Sequence, residues 1–194
     1  MSTMQNDRRL EVASAAWRVI VREGLDRTSM RAIAQEMNCT TGVVTHYFRN
    51  KQELILFALH QVTVRLQGKM GLAIKTLSGP DRLVAMLSSF LPLDQERQEI
   101  LQVWVAFLGY AVGRQDLMTD HRQSAGELRQ VIIQELSTLK SQREIRSDVD
   151  PEYEANVLLA LVNGVSLDTL IQAQPLSAEQ QLIVLQRYVD GLCL

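Results

Sequence analysis

The stretch from Arg27 to Lys51, RTSMRAIAQEMNCTTGVVTHYFRNK, constrains the chain more than any other, because it holds two short helical patterns joined by a turn too tight for a linker. In the first pattern Met30, Ile33, Ala34 and Met37 fall at i, i+3, i+4 and i+7, one apolar stripe on a helix of about two to three turns. Thr28 is placed as its N-cap, with a hydroxyl that can accept from a free N–H of the first turn. Asn38 follows where the helix must stop. After Gly, Asn is the residue that best tolerates the left-handed backbone favoured at a helix C-terminus. Cys39 adds a small apolar contact, and Thr40 is expected to cap a second helix that opens at Thr41 and Gly42. The spacing predicts a helix-turn-helix.

On the second helix Val44 and Phe48 sit at i, i+4 and are predicted to face the core. That leaves Thr41, Gly42, Val43, Thr45 and His46 outward, with Tyr47 at the margin. A face of hydroxyls, a His and a Tyr, free of carboxylates, suits the polyanionic wall and the donor and acceptor edges of a DNA major groove. Gly42 matters by what it lacks, since a missing side chain lets the backbone approach phosphates closely. Asn50, with Glu53 three residues on, predicts a capping box for the next helix. Lys51 in that first turn opposes the helix dipole, which is unfavourable unless an anion such as a DNA phosphate sits there.

Residues 9–55 resemble the DNA-binding domain of the TetR family of bacterial repressors. The likeness is carried by MRAIAQEMNCTTGVVTHYFRNKQELI, above all by TTGVVTHYFRNK, in order, spacing and residue class. The chain departs at the turn, where many members carry Gly-Val and this one has Asn38-Cys39.

Around this stretch the chain reads as all-α with about nine helices. Pro and Gly are few, and Ala, Leu, Val, Gln, Glu and Arg dominate. Residues 7–52 are expected to form a three-helix head and 53–194 a larger helical body. The charge is uneven. Residues 1–51 hold eight Lys/Arg against five Asp/Glu, and the remainder twelve against seventeen, a basic head on an acidic body. Two cysteines, Cys39 and Cys193, suggest neither a disulfide framework nor a metal cluster. No signal segment opens the chain and no run of about eighteen apolar residues is evident, so the expected location is the cytoplasm with no membrane contact.

In order, a polar arm, Met1–Asn6, precedes a first helix from near Asp7 to Glu23 with the stripe Leu10, Ala13, Trp17, Ile20 and Val21, ended by Gly24. Trp17 is expected as core filler, and Arg8 and Arg9 as candidates to reach phosphate. A fourth, longer helix continues from Leu54 through Phe57, Ala58, Val62 and Leu66 toward Ile74, and Gly68 or Gly71 is a place for a bend or an end. Further helices are predicted after Gly79-Pro80, over about Gln95–Gly113, over about Leu117–Leu139, from Asp150-Pro151 to near Gln174-Pro175, and from a Ser177/Gln180 capping box onward.

The last two helices are apolar over so much of their surface that one small body cannot bury both. Tyr153, Val157, Leu161, Gly164, Val165, Leu182, Leu185 and Val189 are therefore expected at an interface with a second copy, as a four-helix bundle. Dimerisation of this kind is also what the resemblance implies. A second likeness lies in the body: QVWVAFLGYAV followed by LVNGVSLDTLIQAQPLS is similar to the C-terminal half of the BetI-type subgroup of TetR repressors, which respond to choline-like molecules. It rests on Trp104, Ala106, Phe107, Asn163, Gly164, Leu167 and Pro175-Leu176. Phe90, Trp104 and Phe107 are candidates for the wall of an effector pocket, with core packing as the alternative.

No Gly-rich phosphate loop, nucleophile elbow or metal-ligand cluster supports catalysis, and no cofactor is expected. His60 reads as a helix-surface residue, and His121 near Asp116 and Asp120 lacks a third metal partner. The expectation is a homodimeric, effector-released repressor of a palindromic operator in double-stranded DNA. Thr28, Ser29, Thr40, Tyr47 and Lys51 would position phosphates, and Thr41, Val43, Thr45 and His46 would read base edges. The rival is a helical small-molecule-binding or interaction scaffold without sequence-specific DNA binding.

Overall fold

Apolar residues at helical spacing produce nine α-helices among the described residues: α1 (Thr3–Glu23), α2 (Met30–Glu36), α3 (Thr41–Tyr47), α4 (Lys51–Thr76), α5 (Gly79–Ser88), α6 (Gln95–Ala111), α7 (Gln115–Ser141), α8 (Pro151–Ile171) and α9 (Ala178–Asp190). A computed structural model describes residues 3–171 and 175–194. Among them there is no strand, only one antiparallel bridge between Ile145 and Cys193. Helix α1 is longer than expected, starting at Thr3 within the predicted arm, and α4 runs past Gly68 and Gly71 to Thr76, two residues beyond Ile74. The predicted end of the eighth helix near Gln174 lies outside the described residues.

The chain divides into two units, one running to Arg65 and including Gln102–Val112, the other Leu66–Leu101 with Gly113–Leu194. In the first, α1 buries Val12, Ala13, Ala15, Ala16 and Val19 against Ile33 and Ala34 of α2, Val44 and Phe48 at α3, and Leu54 and Ala58 of α4. The stripe is turned from the one expected: Leu10, Trp17 and Val21 are only half-buried, and alanines face inward. Small side chains there let the short α2 and α3 approach α1 closely. Gly24, at φ 80°, ends α1, and its N–H donates to the Ile20 carbonyl at 2.9 Å. Gln102, from the later part of α6, donates its side-chain amide to the Val21 carbonyl at 3.0 Å.

In the second unit, Leu83, Leu87 and Leu91, Ile132, Leu136 and Leu139 of α7, Ala155, Leu158 and Val162 of α8, and Leu185, Val189 and Leu192 form one core. Its helix ends are closed as the sequence predicts. The Ser177 hydroxyl accepts from Gln180 N at 3.2 Å while Gln180 Oε1 accepts from Ser177 N at 2.8 Å, and Asp150 Oδ1 accepts from Glu152 N at 3.0 Å. The segment after α7 is stitched to the chain end, with Arg146 N donating to Leu192 O at 2.9 Å and Arg146 Nη1 to Gly191 O at 2.7 Å.

Helix α8 is by length and mean hydropathy apolar enough to cross a membrane, although polar residues interrupt it and no run of eighteen apolar residues occurs in it. Its apolar residues are divided between two sides. Ala155, Leu158, Val162 and Ser166 face the core, while the opposite side carries Tyr153, Ala160, Gly164, Leu167 and Ile171 in the open. Because Leu136 is fully buried among these side chains, Leu136→Ala is expected to lower unfolding stability by about 2–5 kcal/mol, read as a shift in the urea midpoint with unchanged slope.

Candidate nucleic-acid interface

Ser29, not Thr28, caps α2: its Oγ accepts from Ala32 N at 3.1 Å. Thr28 is 2 % exposed, and its hydroxyl donates back to the Gly24 carbonyl at 2.8 Å, closing the loop after α1. Thr28 is therefore withdrawn from the set able to meet a ligand. Both residues are competent caps, and the pull of the α1 end decides which of them turns inward.

The turn after α2 forms as expected around Asn38, at φ 53°, with Asn38 N donating to Gln35 O at 3.0 Å and Cys39 N to Ala34 O at 2.9 Å. Asn38 supplies the left-handed residue, and Cys39 packs half-buried against the first core. Thr40 takes the extended backbone of an N-cap without a side-chain cap bond, and its carbonyl accepts from Val43 N at 3.0 Å.

Val44 of α3 and its C-cap Phe48 are buried, and Thr41, Gly42, Val43, Thr45 and His46 are exposed. Tyr47 is half-buried against the core, its ring edge-on to His46 at 4.9 Å. The Thr45 hydroxyl donates to the Gly42 carbonyl at 3.2 Å, which leaves its γ-methyl and its acceptor lone pairs for an outside partner. No carboxylate occurs between Met37 and Gln52, and Arg31 and Arg49 are exposed on either side of the turn and helix. Their positions flanking the helix-turn-helix are legible in the sequence; their exposure is what the fold adds.

The start of α4 differs in detail from the predicted capping box. Asn50 Oδ1 accepts from Glu53 N at 2.8 Å, but Glu53 reaches one residue further, accepting from Arg49 N at 2.9 Å. Lys51 is half-buried, with Nζ donating to the Leu25 carbonyl. Burial pushes its pKa down, and the charge of Asp26 acts the other way. Arg8 is held by Glu11 at 2.6 Å, and Arg18 and Arg22 grip Glu36 at 2.7 and 2.8 Å. Arg9 does not face outward as a phosphate ligand would; it lies over the rings of Phe48 and Phe57.

In the body, two of the residues expected between copies are instead internal. Leu185 and Val189 are 1 % and 0 % exposed in the subunit's own core, because that side of α9 faces α5 and α8. Val157, Leu161 and Val165 are half-buried, while Tyr153, Gly164 and Leu182 are exposed, as are Leu167, Ile171 and Ile183, which were not assigned to an interface from the sequence. Phe107 is 4 % exposed and Trp104 half-buried, both in the first unit; Phe90, in the second, packs against its core and accepts the Ser166 hydroxyl at its carbonyl, 3.2 Å away. Among the described residues no group of three His, Cys, Asp or Glu side chains could hold a metal ion.

A short-turn helix pair that offers its second helix to solvent, carried on an all-helical body, defines a helix-turn-helix transcription regulator. The chain belongs to the TetR family of bacterial regulatory proteins: residues 12–57 match that family's N-terminal profile, and residues 80–194 match the C-terminal profile of BetI-type transcriptional repressors. It is a regulator and not an enzyme. Among its relatives, the HTH-type transcriptional regulator PksA of Bacillus subtilis is 27 % identical over 96 % of this chain and 90 % of its own. The regulator BetI of Vibrio parahaemolyticus is 25 % identical over 96 % and 92 %. A transcriptional regulator from Saccharomonospora viridis, solved in complex with choline, superposes with a TM-score of 0.90 at 20 % identity, covering 97 % of this chain and 98 % of that one.

One titration follows from burial away from the helix-turn-helix. His121 on α7 is half-buried, and desolvation holds its pKa below the ordinary imidazole value. Between the folded and unfolded pKa values the unfolded chain binds more protons, so stability rises with pH across that window and is lost as pH falls through it. Urea unfolding as pH is lowered from neutral through the ordinary imidazole value of about 6.5 is expected to show this slope, and His121→Gln to remove part of it.

Proposed function

We propose that the protein is a homodimeric, cytoplasmic repressor, with residues 7–52 binding DNA and 53–194 sensing an effector and dimerising. Two copies of α3 enter successive major grooves of a palindromic operator, about 34–36 Å apart. The observation that carries this reading is the exposed face of α3: Thr41, Gly42, Val43, Thr45 and His46 stand in solvent within a carboxylate-free segment flanked by exposed Arg31 and Arg49.

Roles follow from chemistry. Ser29, Thr40 and Tyr47, with Arg31 and Arg49, position phosphates, and Gly42 admits the backbone close to them. Lys51 joins them: its ammonium has three protons, of which the Leu25 carbonyl takes one. Thr41, Thr45 and His46 offer hydrogen bonds to base edges, and Val43, 41 % exposed, offers an apolar contact suited to a thymine methyl. Lys51→Ala is expected to weaken binding on all sequences and to reduce the salt slope by about one unit, whereas Thr45→Ala relaxes preference at one position. Both are read by fluorescence anisotropy on duplexes selected by the full-length protein from a randomised pool; unchanged binding in both variants would remove α3 from the interface.

The second copy docks on the open side of α8 and α9, where Tyr153, Val157, Leu161, Gly164, Leu167, Ile171, Leu182 and Ile183 leave apolar surface in water. Leu167→Asp is expected to give a folded monomer by sedimentation equilibrium, while Leu185→Ala, inside the subunit core, lowers stability instead. The effector is a small molecule, and the choline bound by the Saccharomonospora regulator makes compact organic cations the first class to screen. Trp104 and Phe107 of the first unit offer aromatic faces of the kind such cations favour. Release from DNA requires the effector to prefer the DNA-incompetent arrangement, typically by about 1–3 kcal/mol.

A further inference from the structure

We infer that Arg9 is a positioning residue for the DNA-reading helix, fixing the exit of α3 from within instead of touching phosphate. The inference rests on the reading of α3 as the groove-entering helix. The Arg9 guanidinium lies 4.6 Å from the ring centre of Phe48 and 4.8 Å from that of Phe57, and the two rings are 5.3 Å apart. One cation thus covers two aromatic faces, one at the C-cap of α3 and the other on α4.

The same side chain continues into a relay. Arg9 Nη2 pairs with Glu53 Oε1 at 3.4 Å, and Glu53 Oε2 accepts from Arg49 N at 2.9 Å. Residues 48 and 49, where the chain leaves α3, are therefore held by the tilted ring pair and its cation on one side and a charged hydrogen bond on the other. The Arg9 side chain is 21 % exposed, and its Nε is shut from water with no hydrogen-bond partner. A phosphate ligand would keep its donors in solvent; here the cation gives up one donor to sit against both rings.

Position matters because α3 has only seven residues and is anchored by Val44 and Phe48. Base-edge contacts fail when a side chain moves by a fraction of an ångström, while phosphate attraction tolerates such a shift. Loosening the clamp should therefore cost discrimination and spare non-specific affinity.

The test compares Arg9→Met and Arg9→Lys with the unmodified full-length protein, on a duplex selected from a randomised pool and on its scrambled counterpart, across a salt series. For Arg9→Met, affinity for the selected duplex is expected to fall about tenfold, that for the scrambled one to stay within about twofold, and the salt slope to hold. Arg9→Lys, which keeps the charge without the planar fork, should fall between. Phe57→Leu removes one ring and keeps apolar bulk, so it should shift discrimination the same way and decides the matter if Arg9→Met does not fold. A slope shallower by about 0.9, with both duplexes weakened, would make Arg9 a phosphate contact and overturn the inference. So would a lower unfolding temperature with unchanged discrimination. If the unmodified protein selects no duplex at all, the reading of α3 itself falls; if it selects one and the variants discriminate equally well, only the clamp falls.

Discussion

The burial of Val44 and Phe48 in the pocket that α1, α2 and the start of α4 make for them is what the rest of the first unit depends on. A seven-residue helix has too few internal hydrogen bonds to survive in water by itself. Its existence is bought by two side chains one turn apart, each of which removes apolar surface worth about 1.5–3 kcal/mol from water. Alanines on α1 make the approach possible, and the left-handed Asn38 sets the angle at which α3 leaves α2. Once that docking is fixed, every other side chain of α3 has its direction assigned, and the outward set is determined by geometry alone.

Charge is arranged around this docking with a division of labour. Cations on the α1 side are taken up by carboxylates: Arg8 by Glu11, and Arg18 and Arg22 by Glu36. Exposed ion pairs of this sort contribute little to stability. Their effect is to spend positive charge locally on one side, while Arg31 of α2 and Arg49 just after α3 stay exposed, with no acid between Met37 and Gln52. The basic excess counted over residues 1–51 is thus spatially sorted, which a net count cannot express.

Periodicity was enough to read the helix pair, its outward face, the Gly24 stop and the Ser177 capping box, because each is a local pattern over a few residues. What failed was everything decided by distant partners. Thr28 and Ser29 are both good caps, and the choice between them depends on the Gly24 carbonyl. Arg9 looks like any solvated residue near a helix start, since its partners Phe48, Glu53 and Phe57 come some forty residues later. On α8 and α9 an apolar residue satisfies the subunit core and a copy-facing surface equally well as a pattern. Only packing could show that Leu185 and Val189 belong to the first and Leu167 and Ile171 are left over.

The core of the second unit joins Leu83 and Leu87 of α5 to Leu185, Val189 and Leu192, partners roughly a hundred residues further along. A growing polypeptide therefore cannot seal that core until residues as late as Leu192 have left the ribosomal tunnel. Until then α5, α7 and α8 wait with their leucines uncovered, so this half of the molecule closes later than the helix-turn-helix and is the half for which chaperones would compete.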